Sequence, residues 1–504
     1  MSIARYESLR NLTLTLSKSE KRHFVLFANR VQGKQDKVFL RLFELMEQYP
    51  NKKESELSSK LGTLSSAQFT NAKRNLYNQL LHSLQLLRDT RASHKLGVKN
   101  LQRAVLLYER GLISQSLTFL KIVKSQTNEE EIELNLDLRR LQQKIILSQP
   151  SRLNLGPEET RQLICDINLY QDRNTQLIKA SGCSLLSIVQ LQHWGFVRNE
   201  REDDFYDTAF NHMMTACGKL SENGLAKKYW HLAWAYHHKK QLKFESVYSQ
   251  AQAILSDENR LLDKAQVVYV RAYHLLMTAC FHLGQVDCYH QYKLAFLEYL
   301  ELYEDKFSEP EITLSRYYES NAQLNALILN NRLASGLVNY LAELDSSVLL
   351  SAWKGKEYML DFKLGLAYSY CGRYNEALNS FDRIYQSTTA RLDVLNYARL
   401  IAIICHYRLN NFTLVLNMVN GIRAAFDQAD RITAVIEIIV VFLRKGSRAM
   451  NFGIDELVDQ TLEKLEVQNI SRFGKVDFLY YDFTSLMSSI KANTTIEKIR
   501  KSSP

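Results

Sequence analysis

Proline is nearly absent from this chain of 504 residues, and that scarcity is what most restricts its fold. The chain has 5 prolines and 18 glycines, and residues 311–503 contain no proline. Proline removes a backbone donor and breaks helices, so proline-free stretches with helical periodicity favour long helices joined by short turns. No segment alternates apolar and polar residues over the length that a strand needs. The sequence therefore predicts an all-α fold.

The composition predicts a cytoplasmic protein. The chain is 46% hydrophobic, which is enough to bury a substantial core. Its 7 cysteines are scattered among apolar residues, as reduced thiols usually are. The N-terminal residues lack the apolar stretch of a secretory signal, and the most hydrophobic run, residues 434–443, is too short to span a membrane. We expect no membrane insertion.

The stretch LGLAYSYCGRYNEALNSF, residues 364–381, predicts two short helices joined by a tight turn. Leu364 and Tyr368 lie four residues apart and share one helix face, and Gly365 beside them allows a neighbouring helix to approach closely. Gly372 suits the left-handed conformation that often ends a helix. The residues after it start a second amphipathic helix.

This arrangement resembles the tetratricopeptide repeat (TPR), a helical hairpin that stacks into an α-solenoid. Asp361 stands where the family usually has tryptophan, and the closing proline of the family pattern is missing. The residues at the signature spacing are Leu364, Gly365, Tyr368, Gly372, Tyr374, Ala377 and Phe381. The resemblance implies a TPR-like helical-hairpin solenoid that binds a protein or peptide along its concave face.

Other segments repeat the layout of helix, turn and helix, as they must if a single hairpin cannot bury its own face. Residues 398–422 place Asn410 where the first copy has Gly372, at an offset of 38 residues. Residues 101–125 and 275–300 turn at glycines in the same way. More loosely, the stretches LSKSEKRHFVLFANR, LYNQLLHSLQLL and LLYERGLISQSLTFL resemble uncharacterised bacterial cytoplasmic repeat proteins, a resemblance that implies no activity.

These patterns divide the chain into three predicted parts. Residues 1–95 form a basic helical N-terminal region, residues 96–490 form the solenoid, and residues 491–504 form a basic tail. Prolines mark predicted breaks in the solenoid at residues 150–157 and 305–312.

The excess positive charge lies entirely in residues 1–100. Residues 1–100 hold 18 Lys and Arg against 8 Asp and Glu, which accounts for the whole net charge of +10. Such an imbalance predicts either a polyanionic or acidic partner for this end of the chain or a plainly solvated basic surface.

A segment of the basic region resembles a helix-turn-helix. A short helix, a turn at Gly62 and a second helix that carries Thr70, Asn71, Lys73 and Arg74 match that layout. The positions expected to face inward are Phe69, Ala72 and Leu76. In a DNA-binding role, Lys73 and Arg74 would neutralise phosphates and Asn71 would reach a base edge. The alternative is a basic helical cap that closes the end of the solenoid.

The remaining patterns give no catalytic site. The cluster Cys280, His282, Cys288 and His290 raises the question of zinc, but its spacing does not match a common zinc signature. Core cysteines and groove or surface histidines are the simpler interpretation. No phosphate-binding loop, dinucleotide-binding or nucleophile motif occurs. We therefore expect no cofactor, no metal and no enzymatic activity.

Two functional hypotheses remain. The first is a non-enzymatic scaffold that binds a protein or peptide partner on the concave face of the TPR-like solenoid. The second is a DNA-binding transcriptional regulator with an N-terminal helix-turn-helix and a TPR sensor domain.

Overall fold

The computed structural model describes residues 6–31, 38–62, 65–88, 93–129, 131–148, 157–217, 224–256, 266–303, 306–346, 357–388, 390–428, 432–449 and 453–502. Within these ranges the long regular elements are all α-helices, so the all-α prediction is confirmed. None of the described helices has both the length and the apolar character needed to cross a bilayer. The chain divides into two compact units, residues 1–170 and 171–504.

The first unit is built from eight helices and the start of a ninth within its described residues. They are α1 (Tyr6–Thr15), α2 (Lys18–Val31), α3 (Val38–Gln48), α4 (Glu54–Lys60), α5 (Ser66–Arg88), α6 (Ser93–Glu109), α7 (Ile113–Gln126), α8 (Ile132–Ser148) and α9 (Pro157–Trp194), which continues past Tyr170. The predicted break at 150–157 lies almost wholly outside the described residues, and Pro157 starts α9.

Two separate apolar clusters form the core of the first unit. One joins α1 to α5 and includes Leu42, Phe43 and Leu76, all fully buried. The other joins α6 to α8 and includes Val123 and Ile145. The boundary predicted between residues 95 and 96 lies within α6 and stays a prediction.

The second unit is mainly a row of helical hairpins. After α10 (Glu200–Cys217), five pairs of helices follow, and we call the members of each pair the first and second helices. The first helices are α11 (Gly224–Lys240), α13 (Gln266–His282), α15 (Glu309–Leu329), α17 (Glu357–Tyr370) and α19 (Leu392–Arg408). The second helices are α12 (Phe244–Leu255), α14 (Val286–Tyr303), α16 (Leu333–Ser346), α18 (Tyr374–Tyr385) and α20 (Phe412–Gln428).

One turn geometry ends every first helix. In the α17–α18 turn Gly372 has φ +82°; its N–H donates to Ser369 O at 3.2 Å, and the Arg373 N–H donates to Tyr368 O at 2.9 Å. This pair of bonds is the Schellman motif. The same pair recurs around Leu242, Gly284, Asn331 and Asn410, all at positive φ. From Leu242 to Asn410 these turns lie 42, 47, 41 and 38 residues apart. The helical hairpin is therefore a structural repeat whose length varies from copy to copy.

The first and second helices are buried differently. Each first helix after α11 contacts the second helices on both sides and also the first helix of the next hairpin, so α19 is buried on nearly its whole circumference. The second helix α18 buries only one stripe, which includes Ala377, Phe381 and Ile384 at helical spacing. This difference explains why the second helices are clearly amphipathic in sequence while the first helices are apolar nearly all round.

Several residues of the repeat signature lie at the contact between α17 and α18. A Cβ atom on Gly365 would lie 2.4 Å from Cε1 of Phe381, so glycine is what lets α17 and α18 approach. Leu364, Ala377 and Phe381 are buried. The Tyr374 hydroxyl accepts a hydrogen bond from Arg408 Nε at 2.8 Å, which joins this hairpin to the next one.

The chain ends with helices that pack back onto the hairpins. They follow the pair α21 (Ala434–Arg448) and α22 (Ile454–Ile470) and are α23 (Lys475–Tyr480), α24 (Phe483–Lys491) and α25 (Ile496–Ser502). Ile496 and Glu497, which lie within the predicted basic tail, are buried. The Glu497 carboxylate accepts a hydrogen bond from the Ala334 N–H at 3.1 Å.

We expect Gly365→Ala to destabilise the protein by about 2 kcal/mol, because the added methyl group forces the buried ring of Phe381 out of place. Gly421→Ala is the matched control: Gly421 also lies within a helix, but nothing is within 4 Å of its added Cβ, so it should stabilise slightly through helix propensity. Urea unfolding followed by circular dichroism measures both. Equal effects of the two substitutions would show that the contact between α17 and α18 is not tight.

Candidate functional site

The second unit encloses a cavity of about 500 Å³. All five first helices contribute to its wall, so the wall is the face that they present together. The end of α9 and the C-terminal helices α23, α24 and α25 supply the remaining wall. A volume of this size lies within the range of typical ligand pockets, about 300–1,000 Å³.

Much of the wall is apolar. Phe281, Phe362 and Leu366 come from first helices, Leu191 from α9 and Phe478 from α23. The apolar part of the cavity is therefore shared between the hairpins and the C-terminal helices.

Two lysines provide charge to the wall. Lys239 lies in the last turn of α11 and Lys363 lies on α17. The Lys363 ammonium donates to Asn325 Oδ1 at 3.0 Å, and Lys239 Nζ lies 3.5 Å from Thr278 Oγ1. Neither ammonium group forms an ion pair with a carboxylate among the described residues.

The surroundings make these lysines weak bases. Burial lowers the pKa of Lys239 to about 7, and the charges of Lys363, Arg391 and Arg271 contribute to that shift. Burial alone lowers the pKa of Lys363 to about 8. Burial also lowers the pKa of His282 to about 3, with further lowering by both lysines. His282 is therefore neutral near pH 7, and the two lysines carry the charge of this part of the wall.

The other cationic groups of the wall are compensated. The guanidinium of Arg391 donates two hydrogen bonds to Asp393, both at 2.8 Å, and a third to Leu191 O at 3.0 Å. Arg500 lies 3.8 Å from the carboxylate of Asp482. Each arginine thus has a carboxylate nearby, whereas the two lysines have none among the described residues.

Buried polar contacts hold α23 against α19, where α23 forms part of the cavity wall. The Tyr480 hydroxyl donates to Asp393 Oδ2, and the Tyr397 hydroxyl donates to Asp477 Oδ1. The Tyr397 and Tyr480 rings are stacked, with centroids 3.9 Å apart.

An arginine completes this contact. Arg198, buried after α9, donates to the Tyr397 hydroxyl at 3.3 Å and lies over the rings of Tyr397 and Tyr480. Burial opposes its charge, but Tyr397, Tyr480 and Asp477 outweigh burial and raise the pKa of Arg198. The guanidinium therefore remains charged and partly balances Asp477.

The four residues predicted to bind nucleic acid do not all face solvent. Thr70, Asn71 and Arg74 are exposed on α5. Lys73 is largely buried, and its ammonium pairs with the carboxylate of Glu54 on α4. Lys73 therefore does not face outward with the other three. The residues expected to face inward, Phe69, Ala72 and Leu76, are buried. Nucleic-acid binding by this surface stays a prediction.

The residues considered for zinc have other surroundings. Cys280 is buried, and burial raises the pKa of its thiol to about 11. His282 is stacked on Phe244, with ring centroids 4.4 Å apart, while His290 bonds Asn330. Among the described side chains, no three His, Cys, Asp or Glu residues converge as metal ligands would. His282 is a groove histidine, because it lines the cavity.

Sequence reasoning missed Lys239 and Lys363 as site residues. A usable signal was present in α13, where His274, Thr278 and His282 recur every four residues in an otherwise apolar helix and all line the cavity. Polar residues at this spacing mark a second face on a helix that is otherwise buried.

No family model, curated protein or solved structure matches this chain.

We expect the free energy of unfolding to rise between about pH 7 and pH 9.5, because both lysines bind protons less readily in the folded state than in the unfolded state. Where the unfolded state holds more protons, stability increases with pH. Replacing both residues by methionine should flatten this rise and raise stability at pH 7. Urea unfolding across this pH range measures the slope.

Lys464→Met is the matched control, because Lys464 is an exposed lysine of α22 in the same unit. It should leave the pH slope unchanged. A wild-type slope that survives removal of Lys239 and Lys363 would show that these two lysines titrate normally.

Proposed function

We propose that the second unit is a non-enzymatic binding module that takes a short segment of a protein or peptide partner into the cavity. The observation that carries this proposal is the cavity itself, because all five first helices contribute to one wall. Rows of helical hairpins commonly bind partners on such a shared face. The resemblance of residues 364–381 to the tetratricopeptide repeat supports the same role.

The closure of the face limits what can bind. The C-terminal helices α23 to α25 lie against the first helices and supply part of the cavity wall. A long helix or strand of a partner would have to displace the buried contacts of Tyr480 and Asp477. A few residues of an extended segment fit the space without that displacement.

We expect Thr278→Trp to abolish partner binding, because Thr278 lines the cavity and an indole there would fill it. Ser249→Trp is the matched control, since Ser249 lies exposed on α12 and places the same bulk outside the cavity. A random peptide library displayed on phage can be selected on the wild-type protein, and the selected peptides titrated against both variants. Peptides that bind Thr278→Trp as tightly as wild type would place the binding site elsewhere.

The basic end of the chain supports a second candidate, a DNA-binding regulator. All the net positive charge lies in residues 1–100, and Thr70, Asn71 and Arg74 are exposed on one helix. Since Lys73 is paired with Glu54, Arg74 is the cation of that group available to a phosphate.

We expect Arg74→Ala to weaken binding of a labelled DNA duplex and to reduce the salt dependence of the affinity by about one ion. Arg161→Ala is a control in the same unit, because Arg161 is an exposed arginine of α9 paired with Glu158. Fluorescence anisotropy at about 50 and 200 mM salt measures both effects. Absence of binding by the full chain at the lower salt concentration, or equal losses in the two variants, would exclude this candidate.

A further inference from the structure

The charges that line the cavity do not balance. Asp482 is the acidic residue among the described side chains of the wall, and it is already used: it caps α24 through the Ser485 N–H at 3.0 Å and lies near Arg500. Arg391 is matched by Asp393. Lys239 and Lys363 are left as a pair of ammonium groups without a carboxylate.

Such a pair is costly to keep in a folded protein. A buried charge loses its hydration, and only a partner charge or well-placed dipoles restore the loss. Here the dipoles are few: one amide oxygen for Lys363 and a hydroxyl at 3.5 Å for Lys239. Both lysines line the same cavity, so one occupant of that cavity can present its polar groups to both.

We infer that the occupant of the cavity presents an anionic group, a carboxylate or a phosphate, to Lys239 and Lys363. The inference rests on the proposed function, because it takes the cavity as the binding site. Phe281, Phe362 and Leu366 form apolar wall on the helices that neighbour the lysines, α13 and α17. The occupant therefore joins its anionic group to an apolar or aromatic body.

Four small probes test the requirement for charge. 4-Phenylbutyrate and phenyl phosphate carry an anionic group on an aromatic body, 4-phenylbutanamide is the neutral counterpart of the first, and inorganic phosphate lacks the body. Isothermal titration calorimetry with the full-length protein should give binding of both aromatic anions. The amide and inorganic phosphate should each bind at least about tenfold more weakly.

The lysines are tested by substitution. Lys239→Met and Lys363→Met, singly and together, should weaken both aromatic anions by at least about tenfold, while Lys464→Met should not. Loss of folding is not the expected complication, since methionine removes a buried charge and keeps most of the side-chain volume. Circular dichroism and urea unfolding confirm the fold of each variant.

Proton uptake gives an independent readout. An anion beside the lysines raises their pKa, so binding near pH 7.5 should draw protons from the buffer. Calorimetry in buffers of different ionisation enthalpy measures this uptake, which should disappear in the double methionine variant. Equal affinity for the acid and the amide, no binding of either aromatic anion, or uptake that persists without both lysines would each overturn the inference.

Two peptides distinguish the source of the anion. Acetyl-Phe-Glu-Phe-amide carries its carboxylate on a side chain, and acetyl-Phe-Gln-Phe-amide is its neutral control. Tighter binding of the acidic peptide supports a peptide segment as the source, whereas binding of the small anions alone supports a free small molecule.

The inference and the proposed function fail differently. If Thr278→Trp abolishes peptide binding and the double methionine variant retains it, the cavity is the binding site, but the inference that its occupant presents an anionic group is wrong. If Thr278→Trp leaves peptide binding intact, the proposed function fails as well.

Discussion

The shape of the cavity depends on the contact between α23 and α19. Tyr480 bonds Asp393, Tyr397 bonds Asp477, and the two tyrosine rings stack. Buried polar contacts of this kind are satisfied only in one arrangement, because each unpaired group would lose its hydration without compensation. They therefore fix where the C-terminal helices lie against the first helices.

Burial explains the weak basicity of the lysines. An ammonium group in water keeps its hydration and its ordinary pKa. In the cavity wall, burial lowers the pKa of Lys239 to about 7 and that of Lys363 to about 8. Retaining two such groups reduces stability, and residues that reduce stability without a structural partner are typical of binding sites. This cost supports the proposal that the cavity takes an occupant.

The fold was more accessible from the sequence than the site was. Proline scarcity and the spacing of Gly365 and Gly372 are local signals, and the helices and the turn they predict are present. The turns at Leu242 and Asn331 gave weaker signals, because residues other than glycine adopt positive φ there. Lys239 and Lys363 are far apart in sequence and line one cavity only because the hairpins stack. The orientation of Lys73 depends on its pairing with Glu54, which spacing along α5 alone does not indicate.

The position of the C-terminal helices changes what a row of hairpins can recognise. In an open array each hairpin adds binding surface, so affinity grows with the length of the partner. Here α23 to α25 cover part of that face and turn it into a cavity of fixed size. Under the proposed function, recognition would depend on the match between one small group and the cavity, where an unmatched charge or a poor fit carries the full cost of desolvation. Selectivity would then come from the cover that α23 to α25 provide, while the hairpins bring residues distant in sequence, such as Lys239 and Lys363, to the wall of one cavity.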